Sequence, residues 1–335
     1  MQFFKDSDQL VECIPNFSEG RDKNVIKKIV EAIQSVSDTK ILHVDMGFDA
    51  NRTVITFVSK SATIVEAAYQ AIKAAAENID MSIQQGEHPR MGATDVCPLV
   101  PLHNISMEST IDLSKSLAKR VGSELKIPVY LYERSATTFE RSNLAYLRKG
   151  EYESIPKKIK DKNWQPDYGP FTFNKKSGMT AIGARNFLIA YNINLKTTDV
   201  TIAKKIAAQI RESGSIKNGM RQPGKFKGLK AIGWMMASYN YAQVSTNIVD
   251  INSAPIHEVF ETVKSLAKLY GTSVNGSELI GLIPQQILVN AGQFYSSTMF
   301  HKGHIEKLID LSINNLGLDY SSNFISSERI IEKLL

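Results

Sequence analysis

The chain has 335 residues, 43% of them hydrophobic and 22% charged, an ordinary globular composition with apolar mass for two modest cores rather than one. Its 40 Lys and Arg against 34 Asp and Glu leave a charge of +6, too mild and too poor in interleaved aromatics for a nucleic-acid groove and better matched to small anions. Only Cys13 and Cys97 are present, without disulfide or Cys/His metal spacing, and neither a signal-peptide core nor a membrane-length apolar run occurs, so a soluble protein of the reducing cytosol with no metal site and no membrane span is expected.

In chain order, Val11 to Pro15 reads as a strand, after which Asp22 caps a helix with Val25, Ile26, Ile29, Val30 and Ile33 on one face. Ile41 to Val44 and Thr53 to Val58 are predicted strands joined by a turn-rich segment. A second helix presents Ile64, Ala68, Ala71, Ile72, Ala75 and Ile79, and Val96 to Val100 is again a strand. The same order recurs later. Phe187 to Leu195 is a strand, and Asp199 caps a helix with Ala203, Ile206, Ala207 and Ile210 inward. Leu229 to Met236 and Ala242 to Ile251 pair across Ser238-Tyr239-Asn240. Pro255 suits the first turn of a helix that Gly271 stops, and Leu279 to Ile283 closes the unit. Pro284 to Tyr295 and Ser327 to Leu335 are predicted as a helical tail.

Each half is thus β-α-β-β-α-β, the split βαβ or ferredoxin-like order. The prediction is an α+β fold of two duplicated subdomains, residues 1–180 and 181–335, with a substrate cleft between them. Residues 151–179, rich in Lys, Pro, Gly, Asn and Ser, form the connector, and connectors often carry function.

Gly86 to Pro98 is the most informative stretch. Glu87, His88, Arg90 and Asp95 place an acid, a base, an anion clamp and an orienting carboxylate within one short loop, the inventory of a proton-transferring site. Pro89 biases His88 toward extended backbone. A solvated loop whose charges pair with one another is the plainer alternative. The other histidines, His43, His103, His257, His301 and His304, lack such polar company and read as structural.

Gly86 to Pro98 resembles the signature of the glutamate formiminotransferase family, the transferase half of formiminotransferase-cyclodeaminase and its free-standing relatives. Val11 to Gly20, Asn51 to Val58, Gly183-Ala184-Arg185, Ala190 to Leu195, Ala242 to Asn247 and Gly276 to Pro284 are similar to further blocks of that family, in order. The resemblance implies transfer of a formimino group from N-formimino-L-glutamate to N5 of tetrahydrofolate, a step of histidine degradation and one-carbon metabolism. Tetrahydrofolate enters as a co-substrate that is sometimes polyglutamylated, and the enzyme is expected to be a cytoplasmic homodimer. The implied catalytic base is His88, with Asp45 assisting. Two positions before that aspartate the family often has another Asp, where this chain has His43. The implied folate-binding stretch is Gly169, Pro170, Phe171, Thr172, Phe173, Asn174, Lys175, Lys176, Ser177 and Gly178, although Asn174-Lys175-Lys176 departs from the usual pattern. Arg52, Arg90 and Arg185 are candidate partners for substrate carboxylates; a strand cap and a structural ion pair are the plainer roles of Arg52 and Arg185. The chain stops at Leu335, so the cyclodeaminase step is expected from a separate enzyme or subunit. Two alternatives stay open: a relative acting on 5-formyltetrahydrofolate, by cyclisation or formyl transfer, and a non-catalytic folate-binding protein.

Overall fold

Asp22 starts the first helix as its sequence position predicts, its carboxylate accepting from the backbone N–H groups of Asn24 and Val25. Ile26, Ile29 and Ile33 then recur on one face of that helix and are fully buried, each contributing about 2 kcal/mol through apolar burial. The computed structural model describes residues 4–236, 240–296, 304–320 and 324–335. The fold is mixed α+β, and the chain divides into two compact units, Met1–Asn186 and Phe187–Leu335.

The first unit runs β1 (Leu10–Cys13), β2 (Asn16–Phe17), α1 (Lys23–Gln34), β3 (Thr39–Gly47), β4 (Arg52–Lys60), α2 (Ile64–Asn78) and β5 (Thr94–His103). It continues through α3 (Met107–Arg120), β6 (Val129–Leu131), the short helices α4 (Leu144–Arg148) and α5 (Ile155–Lys158), and β7 (Thr180–Ala184). Its seven strands form one sheet in the order β3, β4, β1 with β2, β5, β7, β6. Pairing is antiparallel as far as β5, and β7 then lies parallel to both β5 and β6. Strand alternation gives this sheet two chemically different faces. Val11, Cys13, Phe17, Ile55, Phe57, Cys97 and Leu99 join the isoleucines of α1 and the alanines of α2 in one buried core. The alternate positions are mixed: Glu12 and Asn16 sit beside Val58 and Val54 of β4, and Asp45 and His43 beside Val54 and Thr56.

The second unit runs β8 (Ile189–Leu195), α6 (Val200–Ile210), the exposed hairpin β9 (Ser215–Lys217) and β10 (Met220–Gln222), β11 (Leu229–Met236) and β12 (Tyr241–Ile248). It ends with α7 (Ile256–Leu269), β13 (Val274–Ile280), α8 (Gln285–Tyr295), α9 (Ile305–Leu316), α10 (Ser326–Arg329) and α11 (Ile331–Leu334). The sheet order is β11, β12, β8, β13, antiparallel throughout. Asp199 caps α6 through the Thr201 N–H, and the backbone turns through the left-handed region at Gly271 just beyond α7.

Several elements differ from the sequence reading. The first unit extends to Asn186 rather than residue 180, because Thr180 to Ala184 inserts as β7 between β5 and β6. Helix α3 has no counterpart in the reading, since its inward face includes Thr110 and Ser114. The predicted last strand starts earlier, at Val274, and stops at Ile280. Ser238 and Tyr239 of the predicted turn, and His301, lie outside the described residues. No helix among the described residues is long and apolar enough to cross a membrane.

Candidate active site

The loop between α2 and β5 carries His88 to the polar end of the first unit's sheet. What fixes the loop is close backbone approach. A Cβ on Gly92 would meet the Met179 carbonyl oxygen at 2.1 Å, and one on Gly178 would meet the Met91 carbonyl oxygen at 2.2 Å. Only glycine at both positions lets the two segments lie this near, and Gly178 also needs its φ of +69°. Hydrogen bonds from Ala93 N to Ser177 O and from Met179 N to Met91 O complete the seam. The end of the 169–178 stretch, at Ser177 and Gly178, is therefore tied to the end of the His88 loop at Met91 to Ala93.

His88 is half-buried. Its Nδ1 lies 2.8 Å from the Pro89 carbonyl oxygen and 3.1 Å from Arg52 Nη1. The Pro89 carbonyl can only accept and the Arg52 guanidinium can only donate, so the two compete for Nδ1; with Nδ1 protonated toward Pro89, the lone pair is on Nε2. Burial pushes the imidazole well below the usual histidine range, the Arg52 and Arg148 cations push it further, and Asp95 partly offsets them. These shifts favour the unprotonated imidazole at neutral pH, the form a proton acceptor requires.

Asp95 organises the cations around it. Its Oδ1 accepts from Met91 N at 3.0 Å, and its Oδ2 accepts from Arg52 Nη1 at 2.8 Å and from Arg148 Nη2. Burial alone would raise this carboxyl, but the Arg148 and Arg52 guanidiniums reverse that and hold it down to about 2. Arg52 also donates from Nε and Nη2 to Asn16 Oδ1, at 2.9 and 2.6 Å. Burial pulls its guanidinium down to about 10 against the pull of Asp95, so it stays charged at pH 7. Two guanidiniums against one carboxylate leave one positive charge in excess beside His88, a field that favours an anionic ligand.

The remaining expected residues fall in different surroundings. Asp45 lies on β3 with its Oδ2 3.8 Å from His43 Nε2, so the His that replaces the family's second Asp is its neighbour. The Arg90 fork is taken up by Glu153, at 2.9 and 2.8 Å, and it also meets Glu151 and Gln84. Arg185 is buried and donates to the Asn186 carbonyl. In the stretch from Gly169, Phe171 is exposed whereas Phe173 packs on Tyr152 with ring centroids 5.4 Å apart. Asn174 closes a local turn by accepting from Ser177 N, Tyr152 donates to the Lys175 carbonyl, and Lys176 reaches the Glu77 carbonyl.

Sequence reasoning did not single out Arg148 or Asn16. Asn16 sits inside the Val11 to Gly20 block, so that block held the signal. Arg148 ends α4, more than fifty residues from Asp95 in sequence, and nothing local marks it.

The N-terminal subdomain model of the formiminotransferase domain matches residues 10–185, and the formiminotransferase domain model matches residues 190–335. Glutamate formimidoyltransferase of Streptococcus pyogenes serotype M1 is 45% identical over 86% of this chain and 93% of its own length. The Thermoplasma acidophilum protein of the same name is 45% identical over 85% of this chain and 92% of its own length. The mouse formimidoyltransferase-cyclodeaminase is 44% identical over 98% of this chain, which spans 60% of the length of that relative. Among solved structures, pitrilysin aligns at 9% identity with a TM-score of 0.20, too low to bear on the fold. With both domain models matched in order across nearly its whole length, the chain belongs to the formiminotransferase domain family.

Proposed function

We propose that this protein transfers the formimino group of N-formimino-L-glutamate to N5 of tetrahydrofolate, giving 5-formiminotetrahydrofolate and L-glutamate. The observation that supports it best is His88, its imidazole pushed toward the neutral form, set beside a cluster with one excess positive charge. N5 attacks the amidinium carbon and a new C–N bond forms. The N5 proton passes to His88 Nε2, and the same imidazolium returns a proton to the glutamate nitrogen as the old C–N bond breaks. The excess charge of the Arg52, Arg148 and Asp95 group suits the carboxylates of both substrates. Asp45 steadies positive charge that develops on the carbon or the imidazole, as a fixed carboxylate does more effectively than a neutral group.

Tetrahydrofolate is assigned to the segment from Gly169 to Gly178, because the end of that segment is tied to the His88 loop. Phe171, exposed there, offers a ring for stacking. Arg90 and Arg52, whose donors are engaged within the protein, hold the site together. The matching strand order of the two units, second, third, first and fourth, supports a duplicated ferredoxin-like ancestry. The enzyme is proposed to be a cytoplasmic homodimer.

A donor-swap assay tests the reaction. Purified protein with tetrahydrofolate should release glutamate from formiminoglutamate. Turnover of 5-formyltetrahydrofolate without any from formiminoglutamate would replace this reading with the formyl-transfer one, and binding without turnover of either would leave a folate-binding protein.

A further inference from the structure

Glu12 is a buried carboxyl group that the scheme above leaves unused. It lies on β1 in the middle of the first unit's sheet, paired with Val58 of β4 on one side and Val100 of β5 on the other. Its side chain is buried at 1% exposure, and neither carboxylate oxygen has a hydrogen-bond partner among the described residues. Burial raises its carboxyl to about 7, with the Arg185 guanidinium opposing through space while donating its own hydrogen bond to Asn186. Such a carboxylate is costly to keep, so a side chain of this kind is retained where something other than the fold makes use of it. No group of His, Cys, Asp and Glu able to hold a metal ion occurs among the described residues, so Glu12 is not one ligand of a cation cage.

Register sets where it points. Glu12 and Asn16 pair with Val58 and Val54, two positions of the same face of β4. Asn16 in turn holds Arg52 of the His88 cluster. Four strand residues separate Glu12 from Asn16, about 13 Å at roughly 3.3 Å per residue. Glu12 and Asn16, the residue that holds Arg52, therefore share one face of one sheet, and the two Glu12 oxygens have no hydrogen-bond donor among the described residues.

We propose that Glu12 is a substrate-binding residue whose two carboxylate oxygens accept the paired N–H donors of a planar, amidine-like edge. Such an edge is found on the 2-amino-4-oxopyrimidine end of a reduced pterin and on the formimino group itself. A carboxylate meets a flat pair of N–H groups bidentately, which fixes the orientation of the ring or group as well as holding it. The proposal rests on the transferase reading and adds to it the residue that orients the substrate with respect to His88.

The test uses the full-length protein with Glu12→Gln, which keeps the shape and removes the charge, and Glu12→Met, which replaces it by an apolar chain of similar volume. Melting temperature, tetrahydrofolate Kd by calorimetry and the KM for formiminoglutamate at saturating folate are measured on each. The expected result is an unchanged or higher melting temperature together with a loss of about 10- to 100-fold in one of the two constants. Weakened tetrahydrofolate binding alone identifies the pterin edge, and a raised formiminoglutamate KM alone identifies the formimino group. If the parent turns over and both constants stay within about twofold of it in a folded variant, the proposal is overturned while the transferase reading stands. A parent that binds neither substrate overturns both. Variants that melt lower than the parent or fail to fold also overturn it, since they make Glu12 a structural residue.

Discussion

At the scale of single residues, the site depends on a charge balance that Asp95 alone completes. With its carboxylate buried between Arg52 and Arg148, Asp95→Asn would leave two guanidiniums without a counter-charge. Breaking such a buried arrangement should cost about 3–5 kcal/mol, read by denaturant unfolding. A loss below about 1 kcal/mol would mean that solvent compensates the cations and that the cluster is less closed than it looks. The same residue sets an acid limit. Its folded carboxyl is held down to about 2, below the ordinary aspartate value, so it stabilises the fold above about pH 4 and that contribution is lost as pH falls through 2. The sum is on the order of 2–3 kcal/mol. His88 acts in the same direction at a higher pH. Its pKa is depressed on folding, so the native state binds fewer protons and stability falls as pH drops below the ordinary histidine value. In Asp95→Asn the limb near pH 2–4 should disappear from the stability profile; an unchanged limb would assign it to other carboxylates.

At the scale of elements, the decisive feature is the seam between the His88 loop and the stretch ending at Gly178. It gives the two aromatic residues of that stretch different duties. Phe173 is part of the core beside Tyr152, whereas Phe171 is 58% exposed. Phe171→Ala should weaken tetrahydrofolate binding about tenfold with little change in melting temperature. Phe173→Ala should lower the melting temperature by several degrees, and folate binding with it. Folate affinity that is indifferent to both variants would detach this segment from the binding site.

The same seam shows what a sequence does and does not reveal. Helix α1 was legible because Asp22 caps it and its buried side chains are isoleucines at helical spacing. Helix α3 was not, because Thr110 and Ser114 occupy its inward face. Their hydroxyls return to the Ser106 and Ile111 carbonyls, and Ser114 also meets Ser135, so polar residues sit in the interior without orphaned groups. Periodicity counts apolar residues and misses a face built in this way. Helix α9 was also missed, although Leu308, Ile309, Ile313 and Leu316 form an ordinary buried stripe at helical spacing.

At the scale of the whole molecule, the strands and helices that periodicity and caps did predict lie in the chain's two compact units, but β6, β7, α3, the β9–β10 hairpin and α9 were not foreseen. Strand order beyond the local hairpins could not be read from periodicity. β7 reaches its place parallel to β5 after about eighty residues of intervening chain, and only tertiary packing selects that position. The active-site inventory divides in the same way. His88, Arg90 and Asp95 lie within eight consecutive residues, from the loop before β5 into its start, and were visible together, but Arg52, Arg148 and Asn16 arrive from β4, α4 and β2 and meet only in the folded unit.

The most direct test of the account is His88→Ala, with turnover, tetrahydrofolate affinity and melting temperature followed on one preparation across pH. Turnover should fall by roughly 10²- to 10⁴-fold while folate affinity holds, because the lost interaction belongs to the transition state. In the parent, the rate should decline on the acid side at a pH below the ordinary histidine value, where the depressed imidazole gains its proton, and that decline should vanish in the variant. A folded His88→Ala protein that binds folate and turns over near the parent rate, with the parent's acid limb intact, would contradict the assignment of His88 as the base.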